Sequence, residues 1–317
     1  MSVATVSKVI NGRYGVAPDT NTRVMKVIDA LGYESSLVAR SLRSRRTMVI
    51  GILVAEFEPF STEILKGASR AIASTGYELL AYSGGGRPGS EVGWERRYLS
   101  RLSGTLIDGA VLVTPTVVEA TSHVPVVAVD PHTGPLGLPT VDSDNLHGAI
   151  DATEHLLRLG HRRIGFLGGR PDLESARLRE EGYRTALSRA GIDVDPDLVR
   201  VGGYREESAD QPARELLTLP EPPTAIFAAN DLSAIRTMAV AASMGLSVPD
   251  HLSVIGFDNV PESALTTPTL TTINQPIQQM GAEAVGLLIS LMDGAEVGAT
   301  HITLPTDLVE RGSCRAV

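Results

Sequence analysis

The stretch from Thr224 to Asp258 reads TAIFAANDLSAIRTMAVAASMGLSVPDHLSVIGFD and decides the fold class. TAIFAAN and LSVIGFD are short and almost entirely apolar, as buried strands are, and DLSAIRTMAVAASMG between them has the length and apolar spacing of a helix. Apolar strands that are separated by helices are typical of a parallel sheet covered on both faces. This unit therefore predicts an α/β fold with a doubly wound sheet.

The same alternation recurs along the chain. Further strand-like runs are MVIGILVAE, YELLAYS, DGAVLVT, PVVAVD and RRIGFLG, and helix-like segments include STEILKGASRAIASTG, HGAIDATEHLLRLG and SARLREEGYRTALSRAG. The pattern occurs once up to about Val141 and again from His147, which predicts two similar lobes with doubly wound parallel sheets. Ligands of such sheets bind at the carboxyl ends of the strands, so we expect the site in the cleft between the lobes.

The first 47 residues differ from this pattern and predict short helices. SVATVSKVING (Ser2–Gly12) opens with serine, a favourable helix N-cap, and its apolar residues recur at helical spacing. A second capped segment runs from about Pro18 to Leu31, and Gly32 follows as a C-terminal stop. The basic stretch ESSLVARSLRSRRT then leads into the first strand. Because two short helices and a basic connector cannot bury a core alone, we expect these first 47 residues, the head of the chain, to bind a partner.

Charge is divided between the two regions. Residues 1–47 carry eight Lys and Arg against three Asp and Glu, a net charge of +5, whereas the whole chain carries −9 and the remainder therefore −14. A basic head on an acidic body indicates that one end binds a polyanion. The alternative is a solvated basic terminus without a partner.

Several other classes of protein find no support in the sequence. No apolar run reaches the roughly 18 residues needed to span a membrane, and no signal peptide opens the chain, which predicts a cytoplasmic protein without a membrane partner. Cys314 is the only cysteine, so neither a disulfide framework nor a cysteine metal site can form within one chain. His155 and His161 flank a helix end without a convincing third ligand. We therefore expect no metal and no cofactor.

One glycine run suggests an enzyme, but its position argues against that function. Gly84, Gly86 and Gly89 form G-x-G-x-x-G after a strand, which is the pattern of a dinucleotide-binding loop. That loop belongs after the first strand of its unit, and here the first strand leads to EPFS without glycines. Because no nucleophile motif or Walker loop is present either, we do not expect an enzyme.

The head resembles the headpiece of the lactose-repressor (LacI/GalR) family of bacterial transcription regulators. SVATVSKVING is similar to the family's recognition helix, the segment ending in LGY (31–33) to its third helix, and SLVARSLRS (36–44) to its hinge helix. The resemblance extends through the body in GYELL, DGAVL, HLLRLGHRRIGFLGG, SARLREEGYRTAL, FAANDLSA, VPDHLSVIGFDN and LTTINQP. It implies a two-lobed, periplasmic-binding-protein-like fold of type I, with chain crossings near Val141, Asn274 and Leu304.

The resemblance also implies a division into domains. Residues 1–35 would form a small all-α partial helix-turn-helix headpiece, 36–47 a hinge helix and linker, and 48–317 an effector-binding and dimerisation domain. Lobe 1 would comprise about 48–141 and 275–304, and lobe 2 about 142–274 and 305–317. Family members have one more helix before the position of Met1. We therefore expect an in-frame upstream stretch that encodes it, because a helix-turn-helix needs this helix to brace the recognition helix.

The resemblance assigns DNA-binding positions to the head. Val3, Ala4, Thr5 and Lys8 would read the major groove, where small apolar side chains favour a thymine methyl and lysine reaches guanine or phosphate. Leu42 would insert into the minor groove. The full set implied is Ser2, Val3, Ala4, Thr5, Ser7, Lys8, Asn11, Ala39, Arg40 and Leu42.

A second set of positions matches those that hold the family's small-molecule effector. Arg177 would grip ligand oxygens with its planar guanidinium, and Asp258, at the end of a strand, would accept hydrogen bonds from paired hydroxyls. Asn230 and Asp231 end another strand, although Asp231 is equally suited to cap the next helix. The effector-binding set implied is Phe60, Asp130, Arg177, Tyr204, Asn230, Asp258 and Gln275.

These features together predict a ligand-responsive, homodimeric regulator that binds operator DNA as a repressor. Paired polar groups with a stacking aromatic favour a sugar or sugar derivative as the effector, and a purine remains open because Phe60 and Tyr204 would sandwich a base. The alternative is a cytoplasmic sugar-binding sensor that does not bind DNA because its headpiece is truncated. The sequence leaves open whether the effector releases the protein from DNA or recruits it.

Overall fold

A computed structural model describes residues 2–10, 14–31, 46–84, 93–103, 106–116, 122–134, 137–295 and 300–317. The chain divides into two compact units, Met1–Thr47 and Met48–Val317. We refer to these units as the headpiece and the body.

The headpiece contains the helices α1 (Val3–Ile10) and α2 (Pro18–Leu31). The Ser2 hydroxyl oxygen accepts a hydrogen bond of 3.2 Å from the amide three residues later and thereby caps α1. Val9 and Val24 are buried, one on each helix, and the two helices are in contact. The expected hinge helix lies almost wholly outside the described residues.

The described part of the body contains two six-stranded sheets, each the centre of one lobe. The strands of lobe 1 are β1 (Val49–Val54), β2 (Glu78–Ser83), β3 (Gly109–Val113), β4 (Val126–Val129), β5 (Thr140–Ser143) and β11 (His301–Leu304). Those of lobe 2 are β6 (Ile164–Gly168), β7 (Val199–Val201), β8 (Ala225–Ala228), β9 (Ser253–Asp258), β10 (Thr271–Asn274) and β12 (Asp307–Val309). The spatial orders are β11-β5-β4-β3-β1-β2 and β12-β10-β9-β8-β6-β7, and all neighbours are parallel except β10 and β12.

Helices cover both sheets. They are α3 (Pro59–Ile72), α4 (Trp94–Leu102), α5 (Asn145–Arg158), α6 (Glu174–Arg189), α7 (Glu206–Leu217), α8 (Asp231–Ser243) and α9 (Ile277–Met292). The central strands β1, β3, β4, β6, β8 and β9 are buried along their whole length. This burial explains why they are apolar at nearly every position and lack the alternation of a half-exposed strand.

Three connections in the described chain pass from one sheet to the other. They lie at Asp144 between β5 and α5, at Gln275 between β10 and α9, and at Pro305–Thr306 between β11 and β12. Helix α5 therefore packs on the sheet of lobe 2, and α9 packs on the sheet of lobe 1. The lobes meet at the carboxyl ends of their strands, which places strand-end side chains opposite each other.

Each lobe has its own apolar core. In lobe 2 the Phe166 ring stacks on Tyr183 at 5.0 Å between centroids and meets Phe227 edge-on at 5.4 Å. In lobe 1, α3 and α9 approach so closely that a Cβ on Gly67 would overlap the carbonyl group of Gln278. These features confirm the predicted fold class, two doubly wound parallel-sheet lobes. Within the described residues, no helix is both long and apolar enough to cross a membrane.

Candidate functional site

A cavity of about 490 Å³ lies between the lobes, where the carboxyl ends of the two sets of strands face each other. Its walls come from the loops that follow the strands of both sheets. The volume lies in the range of sites for small molecules, roughly 300–1,000 Å³. The cavity is therefore the candidate ligand site.

Arg179, on α6, holds the centre of the lobe 2 wall. Its guanidinium donates to Asn145 Oδ1 at 2.9 Å and to the Ala229 carbonyl at 2.5 Å, and it lies 3.3 Å from Asp258 Oδ1. The side chain is 4% exposed and stacks on the Phe257 ring at 3.8 Å from its centroid. These contacts fix the cation in place and pair it with a buried carboxylate.

Gln275 connects the two lobes through this network. Its side-chain amide donates to Asp258 Oδ1 at 2.6 Å, and its carbonyl accepts from the Ser143 hydroxyl at 2.5 Å. Ser143 ends β5 of lobe 1, whereas Asp258 ends β9 of lobe 2. Because Gln275 sits at the connection after β10, its position depends on both lobes.

Two aspartates, the half-buried Asp130 and the buried Asp258, line the cavity from opposite sides. Burial raises the pKa of Asp130 to about 6, although nearby Arg179 acts to lower it. Burial also raises the pKa of Asp258, against the opposing effects of Arg179 and Gln275. Asp130 and Asp258 both adopt positive φ angles, +47° and +115°, which are strained for residues other than glycine. The strand ends thus place charge where solvation is poor.

Aromatic side chains complete the wall. The Tyr204 ring lies against Gly169, where any side chain would overlap the ring. The backbone of Tyr204 has a φ of +67°. The Tyr204 hydroxyl is buried near Ser175 and makes no protein hydrogen bond within the described residues. Phe60, at the start of α3, and Trp94 also line the cavity. A buried hydroxyl without a protein partner is available to a bound molecule.

Contacts at the rim join the lobes. Glu56, after β1, forms an ion pair of 2.8 Å with Arg205, after β7. The imidazole of His132 lies 3.4 Å from the Asp172 carboxylate, and the His132 carbonyl accepts from the Glu174 amide at 2.9 Å. Burial lowers the pKa of His132. The rim contacts therefore hold the lobes together around the cavity.

The structure brings together six of the seven expected effector positions. Those that line the cavity are Phe60, Asp130, Tyr204, Asn230, Asp258 and Gln275. Asn230 also caps α8, because its side-chain oxygen accepts from the Ser233 amide at 3.0 Å and its amide donates to the Tyr204 carbonyl at 3.0 Å. Asp231 lies behind this wall, where it accepts from the Val260 amide and the Thr272 hydroxyl, so it joins elements of lobe 2.

Arg177 is the exception, and its expected placement needs correction. Its side chain is 57% exposed and pairs with Glu174. Residues two apart on a helix point in nearly opposite directions, so only Arg179 reaches the cavity when Arg177 faces solvent. The signal was available in the sequence, because Ala176, Arg179 and Tyr183 share one face at the spacing of a buried helix side.

Other cavity residues were not identified from the sequence. Those with polar or aromatic side chains include Glu56, Glu58, Trp94, His132, Arg170, Ser175, Arg179 and Arg205. The head positions Ser2, Val3, Ala4, Thr5, Ser7 and Lys8 lie on or immediately before α1. Asn11, Ala39, Arg40 and Leu42 lie outside the described residues, as do Gly86 and Gly89 of the glycine run.

Both histidines that were considered as metal ligands are buried in lobe 2. The His161 ring makes hydrogen bonds with Thr224 at 2.8 Å and Ser253 at 3.0 Å, which gives it a structural role. Among the residues placed by the structure, no three His, Cys, Asp or Glu side chains form a metal-binding group.

Comparisons with known proteins address both units. Residues 1–36 match the family model of bacterial regulatory proteins, lacI family, and residues 153–314 match a periplasmic binding protein-like domain. The HTH-type transcriptional repressor CytR of Escherichia coli (strain K12) is 34% identical to the chain, and the alignment covers 100% of this chain and 94% of CytR. The chain belongs to the LacI family. As a LacI-family member, it is a ligand-responsive, DNA-binding transcriptional regulator.

Further LacI-family relatives agree in length and fold. The HTH-type transcriptional regulator CelR of Thermobifida fusca is 34% identical over 98% of this chain and 94% of its own length. The Lac repressor dimer bound to operator and the anti-inducer ONPF superposes with a TM-score of 0.85 at 27% identity, over 100% of this chain and 96% of that one. A CelR–cellobiose complex superposes with a TM-score of 0.76 at 31% identity, over 99% and 96%. The resemblance expected from the sequence is thus confirmed.

Proposed function

We propose that this LacI-family regulator is a cytoplasmic, homodimeric repressor whose operator affinity is set by a small polyhydroxylated effector bound in the cavity. It is a regulator and not an enzyme. The observation that carries the effector assignment is the set of polar groups on Asp130, Arg179, Asp258 and Gln275, which line one cavity. The similarity to a CelR–cellobiose complex supports the same class.

A sugar suits this wall because it offers hydroxyls and an apolar ring face together. Carboxylate and amide groups accept from and donate to paired hydroxyls, and aromatic rings pack on the C–H face of a sugar ring. Phe60, Trp94 and Tyr204 supply such rings. Because they would also stack on a base, a purine or nucleoside is the second candidate.

Operator recognition is assigned to α1. Val3, Ala4 and Lys8 are exposed on this helix, and Thr5 and Ser7 are half-buried. An exposed helix with small and basic side chains suits the major groove, and the net charge of +5 on residues 1–47 suits phosphate. Asn11, Ala39, Arg40 and Leu42 remain part of the proposed DNA-binding set.

The proposal is tested by two measurements on the full chain. Trp94 is the only tryptophan and lines the cavity, so its fluorescence should report binding of sugars and nucleosides directly. Fluorescence anisotropy with labelled operator DNA should then show that the bound compound changes operator affinity. If the chain binds an effector but shows no affinity for DNA, the result would instead support the alternative function, a sensor that does not bind DNA.

Tyr204→Phe should weaken effector binding without harming the fold. The change removes only a buried hydroxyl that makes no protein hydrogen bond in the described structure. Losing one ligand hydrogen bond costs about 1 kcal/mol, or roughly fivefold in affinity. Arg177→Ala is the matched control and should bind the effector as the parent does. An equal loss of effector affinity in both variants would contradict the assignment of the cavity as the effector site.

A further inference from the structure

The arginines of the cavity are already paired with carboxylates. Arg170 donates to both oxygens of Asp172, at 3.0 and 2.7 Å, and Arg205 pairs with Glu56 at 2.8 Å. Arg179 lies 3.3 Å from Asp258 and also donates to two further acceptors. Among the described wall residues, the positive charge is therefore matched one for one.

Two further carboxylates line the same wall without a direct ion pair, although Arg179 lies near enough to Asp130 to act to lower its pKa. Glu58 and Asp130 form no ion pair among the described residues, although both face the cavity. Charge repulsion from each of them raises the pKa of Asp258, in agreement with their position on the same wall. The described wall thus carries an excess of negative charge.

Two of the helix starts at the cavity, those of α3 and α8, are also occupied by side chains of the protein. At the start of α3, the amides of Phe60 and Ser61 donate to the Glu58 carboxylate at 3.0 and 2.9 Å. At the start of α8, the Ser233 amide donates to Asn230 Oδ1 at 3.0 Å. Amides at a helix start are the common binding site for phosphate. At both ends the protein's own side chains accept these hydrogen bonds.

We infer that the cavity selects an uncharged effector and rejects the phosphate ester of the same compound, and that Glu58 and Asp130 impose this selectivity. The inference rests on the proposed function and narrows its ligand class. A phosphate would meet two unpaired carboxylates in a site of low dielectric constant. It would recruit Arg179 only by breaking three existing contacts of a buried side chain. Uncharged hydroxyls, by contrast, donate hydrogen bonds to both carboxylates.

Matched pairs of compounds test this selectivity on the full chain. The probes are glucose and glucose 6-phosphate, ribose and ribose 5-phosphate, and adenosine and adenosine 5′-monophosphate, titrated with Trp94 fluorescence and thermal shift as readouts. In every pair that binds, the free compound should bind at least about tenfold more tightly. An ester that binds as tightly as its free partner overturns the selectivity and leaves the proposed effector class intact. If no compound in any pair binds, the proposed effector class is wrong, and the selectivity falls with it.

Charge-neutral variants assign the selectivity to residues. Asp130→Asn and Glu58→Gln keep the size of each side chain and remove one charge, so each should reduce the preference for the free compound by about threefold or more. Asp250→Asn removes an exposed carboxylate of lobe 2 that pairs with Arg315, and should leave the preference unchanged. Using two variants protects the test if one fails to fold. An unchanged preference in a folded variant of either residue contradicts that residue's role.

Discussion

Asp130 follows β4 with a φ of +47°, and it is half-buried, with burial raising the pKa of its carboxyl group. Both features oppose folding, because a left-handed backbone is strained for most residues and a buried charge is poorly solvated. Asparagine adopts this backbone region readily and carries no charge. The presence of aspartate at this position is therefore better explained by ligand binding at the site than by stability of the fold.

Asp130→Asn should stabilise the protein at neutral pH. Burial raises the pKa of Asp130 from 3.8 to about 6, so its ionisation destabilises the fold progressively from about pH 4 and fully above about pH 6. Removing the charge should raise the free energy of unfolding by about 1–3 kcal/mol at pH 7.5 and by about half as much at pH 5. Thermal unfolding at the two pH values measures this difference. A variant less stable than the parent at pH 7.5 would contradict the argument.

At the scale of elements, α3 and α9 pack through glycine. A Cβ on Gly67 would overlap the Gln278 carbonyl of α9, and a Cβ on Gly281 would overlap the Ile64 carbonyl of α3. Reciprocal glycines let the two backbones touch, which explains why this helix pair is so close. The pair belongs to lobe 1, and α3 begins at the cavity with Glu58 as its N-cap.

Gly67→Ala should separate these helices and destabilise lobe 1. The added methyl has no free volume, and overpacking of this kind costs about 1–3 kcal/mol. Gly286→Ala lies on the exposed side of α9 with no atom within 4 Å of the new Cβ, and should stabilise by about 0.5–1 kcal/mol. Urea unfolding midpoints compare the two directly. Equal urea midpoints for the two variants would show that the close packing of α3 on α9 does not limit stability.

At the scale of the whole molecule, charge and compactness divide the chain at the same place. The headpiece unit ends at Thr47 and the body begins at Met48, and the net charges of these regions are +5 and −14. An acidic body repels DNA phosphate, so DNA affinity must come from the basic unit. The described residues that line the cavity, by contrast, all belong to the body.

A fragment that begins at Met48 should therefore bind the effector and fail to bind DNA. The body contains both sheets and every described cavity residue, so the change in Trp94 fluorescence on titration should match that of the full chain. Anisotropy with operator DNA should show no binding at low salt, where electrostatic binding is strongest. Residual operator affinity in the fragment would place DNA contacts in the body.

The sequence by itself determined the class of fold and the type of protein. Buried strands of a parallel sheet are apolar along their length, and this property can be recognised without knowing any neighbour. Asp130, Asp258 and Gln275 were assigned to the site by the resemblance to the LacI family, and the expected cleft at the carboxyl ends of the strands agrees with that assignment. Helix α7 was not identified, in part because Pro212 interrupts its pattern.

Only the tertiary structure decided which side chains form the cavity. Periodicity places Arg179 on the buried face of α6, but that this face reaches the cavity depends on the packing of α6 against α5 and β6. The Glu56–Arg205 and His132–Asp172 contacts join residues far apart in sequence, and Trp94 reaches the cavity because its ring packs on Gly84. Such pairings depend on how two lobes face each other. Local periodicity reports which face of an element is buried, but not what lies opposite that face.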